Sequence, residues 1–232
     1  MRKRTKALSL AALASVLILV TNASAALIGI YRNSMETEAQ RKQIVKLSGE
    51  SCGRSSSSHV FQIVVGKQTR ECSYRTPVVG HDLEVAAVER LLSSTPKPIQ
   101  HKAFVAVNLR TEAGGAGYQL AVYPLQRKVQ LRKIRPDGSI KYLQIAKGVG
   151  PVGGLDEATE LRLRTINAIS GPEKGTAVIL GFVGGERVVE ATDEAAGELE
   201  GQASGFSVGA ATNATGAVAT VDNVVVRVPS PF

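Results

Sequence analysis

The chain has 232 residues, a formal net charge of +8 and no tryptophan. Residues 1–47 carry a net charge of +6, residues 48–147 carry +8, and residues 148–232 carry −6. Beyond the N-terminal region the net charge is therefore close to +2. The sequence contains no recognition-helix or zinc-finger pattern, so we predict no nucleic-acid partner.

The N-terminus combines four basic residues within positions 2–6 with an uncharged, mostly aliphatic run, Ala7 to Ile30. The end of this run contains the A-x-A pattern of a signal peptide at Ala23 and Ala25. The whole run is also long enough for a helix to span a bilayer, which favours an uncleaved anchor. We predict that residues 1–31 are a signal-anchor or signal peptide with the N-terminus in the cytoplasm. The domain would then be a single-pass membrane protein outside the cell, or secreted if cleaved after Ala25.

Residues 32–58 are predicted to form a stalk helix and a Ser-rich linker. Asn33 or Ser34 is a suitable N-cap, and the helix should run from about Ser34 to Ser48. The linker is Gly53 to Ser58, and the first of the two cysteines, Cys52, directly precedes it. In an oxidising compartment Cys52 and Cys72 are expected to form a disulfide. A redox pair or a metal site is the alternative, but the spacing is not C-x-x-C and the three histidines are scattered.

From residue 59 to 232 the apolar period changes to two, which is typical of β-strands. Asp137-Gly138 and Gly184-Gly185 predict tight hairpin turns, and the glycine-rich segment 148–154 is the right size to connect two sheets. About a dozen short strands with almost no helix predict a mainly β fold of two packed antiparallel sheets. The predicted strands are Val60–Gly66, Leu83–Val88, Phe104–Arg110, Tyr118–Tyr123, Lys128–Arg132, Tyr142–Ile145, Glu160–Ile166, Thr176–Phe182, Glu186–Ala191, Gly205–Gly209, Ala217–Thr220 and Asn223–Val228.

A dense group of basic residues lies on the middle strands. Such a group can contact an anionic wall polymer, lipid headgroups or nucleic acid, whereas the simpler interpretation is that its members cover the solvated faces of strands. The members are Arg127, Lys128, Arg132, Lys133, Arg135 and Lys141.

The order of strands and turns resembles the concanavalin A-like lectin/glucanase group, which includes laminin-G-like jelly-roll domains. The resemblance covers about 125 residues and implies a two-sheet antiparallel jelly-roll sandwich behind the N-terminal helix and stalk. It depends on a succession of strand motifs and turns, with no catalytic signature among them. The motifs are Phe104–Arg110, Gly117–Val122, Leu161–Arg164, Ala177–Phe182, Val188–Asp193, Gly201–Gly209 and Asp222–Val226.

The chain departs from the glycanases of this group. They carry a strand with an E-x-D-x-x-E or E-x-D-x-E pattern that supplies two catalytic carboxylates, and no such strand exists here. We therefore predict that the protein is not an enzyme and has no catalytic residues.

Ligand binding in this group implies aromatic rings and acids near the sheets. The candidate rings are Tyr118, Tyr123 and Tyr142. Tyr118 is in phase with Leu120 and Val122 and is expected in the core, whereas Tyr123 is out of phase with them and can face outward. Asp193 and Asp222 resemble acids that bind calcium or close the sheet in related sandwiches. Two carboxylates fall short of the six to eight oxygens that calcium needs, so no cofactor or metal is predicted. For Asp222 and Asn223 a turn before the last strand is the simpler role.

Three functions are compatible with this sequence. The first is a membrane-tethered, non-catalytic sandwich outside the cytoplasm that binds carbohydrate or another envelope component, through Tyr123, Tyr142, Asp193, Asp222 and Asn223. The second is a structural or protein-interaction module of the cell envelope, favoured by the absence of tryptophan. The third is a glycoside hydrolase-like enzyme, which would need two facing carboxylates.

Overall fold

The computed structural model describes residues 27–49, 51–55, 60–150, 152–167 and 175–229. These residues form fifteen β-strands and two short α-helices. The helices are α1 (Glu38–Lys42) and α2 (Lys97–Gln100). The strands are β1 (Leu27–Asn33), β2 (Val45–Ser48), β3 (Cys52–Ser55), β4 (Phe61–Val65), β5 (Glu71–Val79), β6 (Glu84–Leu91), β7 (Ala103–Thr111), β8 (Gly117–Tyr123), β9 (Lys128–Ile134), β10 (Ile140–Lys147), β11 (Thr159–Asn167), β12 (Ala177–Val183), β13 (Glu186–Asp193), β14 (Ala203–Ala210) and β15 (Val218–Pro229).

The strands form two antiparallel sheets that pack face to face. Sheet 1 has eight strands in the order β13-β12-β11-β6-β15-β4-β3, and β1 pairs with β15 beside β4. Sheet 2 has seven strands in the order β10-β9-β8-β7-β14-β5-β2. The predicted mainly β sandwich is confirmed.

The core between the sheets follows from the period-two pattern. Tyr118, Leu120 and Val122 of β8 are fully buried in it, as expected from their common phase, and Leu161 and Leu163 of β11 meet them from sheet 1. Because successive side chains of a strand alternate between its two faces, every second residue of β8 lies on the outer face of sheet 2. This outer face carries the candidate site.

The predicted turns and connections also form. Gly184 and Gly185, both with positive φ, close the β12–β13 hairpin, and the Asp137 carboxylate accepts a hydrogen bond from the Ser139 amide between β9 and β10. The segment 148–154 leads from β10 in sheet 2 to β11 in sheet 1. Thus it connects the two sheets, as its size indicated.

The disulfide between Cys52 and Cys72 is confirmed. It joins β3 of sheet 1 to β5 of sheet 2, so it links the two sheets near one edge. The turn that precedes it requires Gly49, which has φ +99° and where a Cβ atom would lie 2.4 Å from the Cys52 sulfur. A bridge across a loop of this length contributes about 3 kcal/mol by restricting the unfolded chain.

Two predictions for the N-terminal region need correction. The last residues of the predicted membrane helix, from Leu27 onward, form strand β1, which pairs with Val224–Pro229 of β15. A short apolar run fits a strand as well as a helix, so hydrophobicity alone did not distinguish them. The rest of the predicted signal-anchor, residues 1–26, lies outside the described residues. No helix in the described part of the chain is long and apolar enough to span a membrane.

The stalk prediction is wrong in length and in role. Helix α1 spans only Glu38–Lys42, and its N-cap is Thr37 rather than Asn33 or Ser34. The chain then joins the edge of sheet 2 as β2, because Met35 and Ile44 are buried in the core and hold both ends of the segment against the sandwich. The sandwich therefore begins at β1 and not at residue 59. The predicted linker is strand β3 up to Ser55, and the remainder of it lies outside the described residues.

Two further differences concern the strands. Strand β5 is absent from the predicted strands and contains Pro77, which is tolerated there because β2 pairs no further than Arg75. The last two predicted strands are one strand, β15, with a register shift between Asp222 and Val225. Asn223 adopts a left-handed φ of 49° at this bulge, and the Asp222 carboxylate accepts a hydrogen bond from its amide. The pair therefore bends a continuous strand instead of starting a new one.

Candidate functional site

The outer face of sheet 2 carries a polar cluster that joins four strands. The Gln119 side-chain amide of β8 lies 2.6 Å from Glu71 Oε1 of β5, 2.9 Å from Asn108 Oδ1 of β7 and 2.9 Å from Ser207 Oγ of β14. Ser73 donates a further hydrogen bond to Glu71. These contacts fix the Glu71 carboxylate and the Gln119 amide, so the polar groups of this face are held in place before any ligand arrives.

Next to the polar cluster lies an aromatic pair. The rings of Phe104 on β7 and Tyr123 on β8 are 5.5 Å apart. Gly209 on β14 makes room for Phe104, because a Cβ atom at that position would lie 2.6 Å from the Phe104 ring. Burial is the main cause that raises the pKa of the Tyr123 hydroxyl. The Lys128 ammonium lies 3.8 Å from the Tyr123 ring centroid, a cation–π contact.

Arg132 on β9 lies on the same face. It is the register partner of Gln119 on β8 and of Tyr142 on β10. Its guanidinium is 4.4 Å from the Phe104 ring centroid, and only 3% of the residue is exposed. The face therefore carries a buried cation over an aromatic ring, one strand in from the edge.

These groups border an open pocket of about 440 Å³. Glu71, Phe104, Tyr123, Arg132 and Tyr142 all line it. Tyr142 differs from the others because 51% of it is exposed, on edge strand β10. A pocket with one exposed ring, a buried aromatic pair and a few fixed polar groups has the composition of a small-molecule site.

Several solved structures share this architecture. A protein of unknown function with a galectin-like fold from Bacillus subtilis is 14% identical, with a TM-score of 0.58 over 87% of this chain and 97% of its own. The carbohydrate-binding module CBM66 from Bacillus subtilis is 13% identical, with a TM-score of 0.53 over 78% and 93%. The carbohydrate recognition domain of Emp46p is 10% identical, with a TM-score of 0.56 over 85% and 94%.

The chain has a lectin-like β-sandwich fold. The resemblance to concanavalin A-like domains that the order of strands indicated is thereby confirmed at the level of the fold. No family model and no curated protein matches the sequence.

The lectin-like sandwich brings two of the five predicted ligand residues together. Tyr123 and Tyr142 both line the pocket. Tyr142 is half exposed, whereas Tyr123, for which an outward orientation was predicted, is 98% covered because Phe104 and Lys128 pack on its ring. Asp222 and Asn223 lie at the bulge of β15 in sheet 1, away from this face.

Asp193 lies neither in the pocket nor at the bulge of β15. It is buried between the sheets, where its carboxylate contacts the Lys133 ammonium at 2.8 Å and accepts a hydrogen bond from the Tyr118 hydroxyl at 2.7 Å. Strands β12, β11 and β6 separate it from Asp222 in sheet 1. These two acids therefore do not share a site. Within the described ranges, no group of three or more His, Cys, Asp or Glu side chains is arranged to hold a metal ion.

The basic group predicted on the middle strands is not one surface. Lys133 points between the sheets to Asp193 and is 1% exposed, whereas Arg132 lies on the outer face. Arg135 and Lys141 are about half exposed. The interpretation as solvated strand faces is therefore wrong for Arg132 and Lys133, because each is packed against a specific partner.

Sequence reasoning missed Glu71, Phe104 and Arg132 as site residues. The alternation of the strands indicated part of the site, since Gln119 and Tyr123 lie on the outer face of β8 and Arg132 lies on the outer face of β9. What joins them is the strand order β9-β8-β7-β14-β5, which brings Glu71 to the same face from a distant part of the chain.

Proposed function

We propose that the protein is a non-catalytic carbohydrate-binding sandwich and that the pocket on the outer face of sheet 2 binds the sugar. The observation that carries this proposal is the half-exposed ring of Tyr142 beside the fixed polar groups of Glu71 and Arg132. A tyrosine ring offers an apolar face to the C–H groups of a sugar, and the polar groups offer hydrogen bonds to its hydroxyls. The fold shared with a carbohydrate-binding module and a carbohydrate recognition domain supports the same function.

The chemistry of the pocket supports a non-catalytic role. Among the residues that the structure describes, Glu71 is the one carboxylate that lines it. Retaining glycoside hydrolysis needs two carboxyl groups about 5–5.5 Å apart, and inverting hydrolysis needs a second carboxylate as base. Glu71 is also engaged by Gln119 and Ser73, which suits a fixed acceptor better than a nucleophile.

Replacing Tyr142 with alanine is expected to weaken glycan binding about tenfold, the effect of losing one aromatic contact. The measurement is retention of the purified full chain on a glycan array, followed by titration with the best glycan. Ile145 is the matched control, because it lies on the same strand, is 46% exposed and is outside the pocket. Ile145→Ala should bind as the wild type does.

Two results would count against this proposal. The first is a wild-type chain that no glycan retains. The second is an equal loss of binding in both variants, which would place the ligand along the edge of β10 instead of in the pocket. Ile140, Tyr142 and Ile145 expose large apolar side chains on that edge strand, a feature that favours the second candidate, a protein-interaction module. A wild-type chain that binds no glycan but self-associates, with Ile145→Ala reducing the association, would support that candidate.

We also propose that the domain functions outside the cytoplasm, tethered by the N-terminal segment or secreted after its removal. The support is the charge pattern of residues 1–31 together with the Cys52–Cys72 disulfide, since such bonds persist in oxidising compartments.

In bacterial cells that express the full chain, protease added to spheroplasts is expected to digest the domain while a cytoplasmic marker stays intact. Membrane pelleting then separates a tethered chain from a secreted one, and a mature N-terminus at Ala26 would establish cleavage. Protection of the domain until the cells are lysed would overturn this location.

A further inference from the structure

The Arg132 guanidinium has two donors without a partner. Neither Nε nor Nη2 makes a hydrogen bond within the described residues, although the side chain is almost fully buried. Leaving charged donors unsatisfied in a buried position is costly, because their hydration is lost and nothing replaces it. The site therefore has donor capacity that the protein itself does not use.

The two free donors form one edge of the guanidinium. In arginine the Nε–H and Nη2–H bonds on this edge are parallel, and they match the two oxygens of a carboxylate in a bidentate contact. The guanidinium carbon lies over the Phe104 ring, 4.4 Å from the ring centroid. The ring therefore packs against the guanidinium, and Arg132 lines the pocket.

The charges near Arg132 are also unbalanced. None of the ion pairs among the described residues includes Arg132. The Glu71 carboxylate across the pocket is the one acidic group of the lining, and its hydrogen-bond partners Gln119 and Ser73 are uncharged. Lys128 and Lys147 face each other on the adjacent strand positions. Burial, and then the charges of Arg132 and Lys147, lower the pKa of Lys128. An anion in this region would relieve the repulsion among these cations.

We propose that Arg132 binds the carboxylate of an acidic sugar, so that the ligand of the pocket is a uronic acid-containing or otherwise carboxylated saccharide. Tyr142, on the strand next to Arg132, stacks against the sugar ring while the free edge of the guanidinium holds its carboxylate. This inference rests on the proposed function and adds the chemical class of the ligand.

The test compares each acidic glycan with its own methyl ester, which keeps the sugar and removes the charge. The probes are oligogalacturonate and hyaluronan oligosaccharides, titrated into the full chain in both forms. We expect the better acidic probe to bind about tenfold to a hundredfold more tightly than its ester, the effect of a charge-assisted bidentate contact. Arg132→Gln should remove that difference, and Arg132→Lys should restore only part of it, because lysine lacks the planar fork.

Arg135→Gln is the matched control. It removes the same charge from the same strand, at a residue that is about half exposed and outside the pocket, so the difference between acid and ester should persist. If Arg132→Gln does not fold, the difference in affinity between acid and ester measured on the wild-type chain still tests the inference. Raising the salt concentration should weaken binding of the acidic probe and leave the ester unaffected.

A second comparison measures the binding of dextran sulfate and of uncharged dextran to the full chain. If Arg132 is needed for binding dextran sulfate but makes no difference between the carboxylated probes and their esters, the ligand is sulfated and the carboxylate assignment is wrong. Equal affinity for acid and ester, or a difference that survives Arg132→Gln, would overturn the inference while leaving carbohydrate binding in place. A chain that binds neither charged nor neutral glycans would instead overturn the proposed function itself.

Discussion

Replacing Lys133 with methionine is expected to lower the free energy of unfolding by about 3–5 kcal/mol, because the change leaves a buried carboxylate without its cation. The Lys133 ammonium lies 2.8 Å from Asp193, 2.9 Å from Glu198 and 2.6 Å from the Ala195 carbonyl oxygen. The side chains of Lys133 and Asp193 are 1% and 0% exposed. The measurement is urea unfolding of the full chain at neutral pH.

The pKa of Asp193 explains why the loss should be large. Burial alone would raise the pKa of this carboxyl, but the hydrogen bonds from Lys133 and Tyr118 and the charge of Lys133 bring it below its ordinary value. A lowered folded-state pKa stabilises the fold above the unfolded-state pKa, and this contribution is lost as pH falls through the folded-state value. Without Lys133 the effect of burial dominates, so Asp193 destabilises the fold at neutral pH.

Lys141 supplies the control. Its ammonium is 3.8 Å from the same carboxylate, but its side chain is 47% exposed, so Lys141→Met should cost less than about 1 kcal/mol. Adding Asp193→Asn to Lys133→Met should recover part of the lost stability, because the neutral amide removes the unpaired buried charge. If Lys133→Met and Lys141→Met lower the free energy of unfolding equally, the buried pair stabilises the fold no more than the exposed contact does.

The sequence predicts the position of Lys133 but not its contact with Asp193. Lys133 is in phase with Val129 and Leu131, so the alternation of β9 directs it towards the core. Its partner Asp193 lies sixty positions later on the other sheet, and no local pattern connects them. Local alternation therefore predicts which face a side chain occupies, but the contact across the sheets depends on the packing of distant strands.

The same reasoning explains what was predicted of the candidate site. The outward phase of Tyr123 and Gln119 follows from β8 alone, and the disulfide follows from there being two cysteines in the chain. The pocket required the order of five strands, and this order brings Glu71 and Arg132 to one face from positions sixty-one residues apart. At the N-terminus, the strand β1 was mistaken for the end of a helix because its stabilising partner, β15, is at the opposite end of the chain.

Replacing Glu89 with glutamine is expected to stabilise the protein increasingly as the pH rises. Glu89 on β6 is fully buried in phase with Val85, Ala87 and Leu91, and neither of its carboxyl oxygens has a side-chain hydrogen-bond partner in the described part of the chain. Burial raises the pKa of this carboxyl well above its ordinary value, and the nearby Ala106 backbone offsets only part of that effect. The folded protein therefore keeps the proton of Glu89 to a higher pH than the unfolded chain does.

The sign of the pH dependence follows from this raised pKa. The unfolded chain releases the proton near pH 4.3, whereas the folded protein keeps it up to a higher pH. Between these two values the folded state binds one proton more, so Glu89 lowers the free energy of unfolding by about 1.4 kcal/mol for each unit of pH. Glutamine is close in shape to the protonated acid and cannot ionise. In the variant the unfolding free energy therefore no longer falls with pH on account of this residue.

The experiment is urea unfolding of the wild type and Glu89→Gln from pH 4 to pH 8. The difference in unfolding free energy should be smallest at pH 4 and should grow in favour of the variant as the pH rises. Glu200→Gln is the control at an exposed glutamate, and its curve should run parallel to that of the wild type. A difference between Glu89→Gln and the wild type that does not change with pH would mean that Glu89 is ionised in the folded protein. The core between the sheets would then have to supply that carboxylate with a partner.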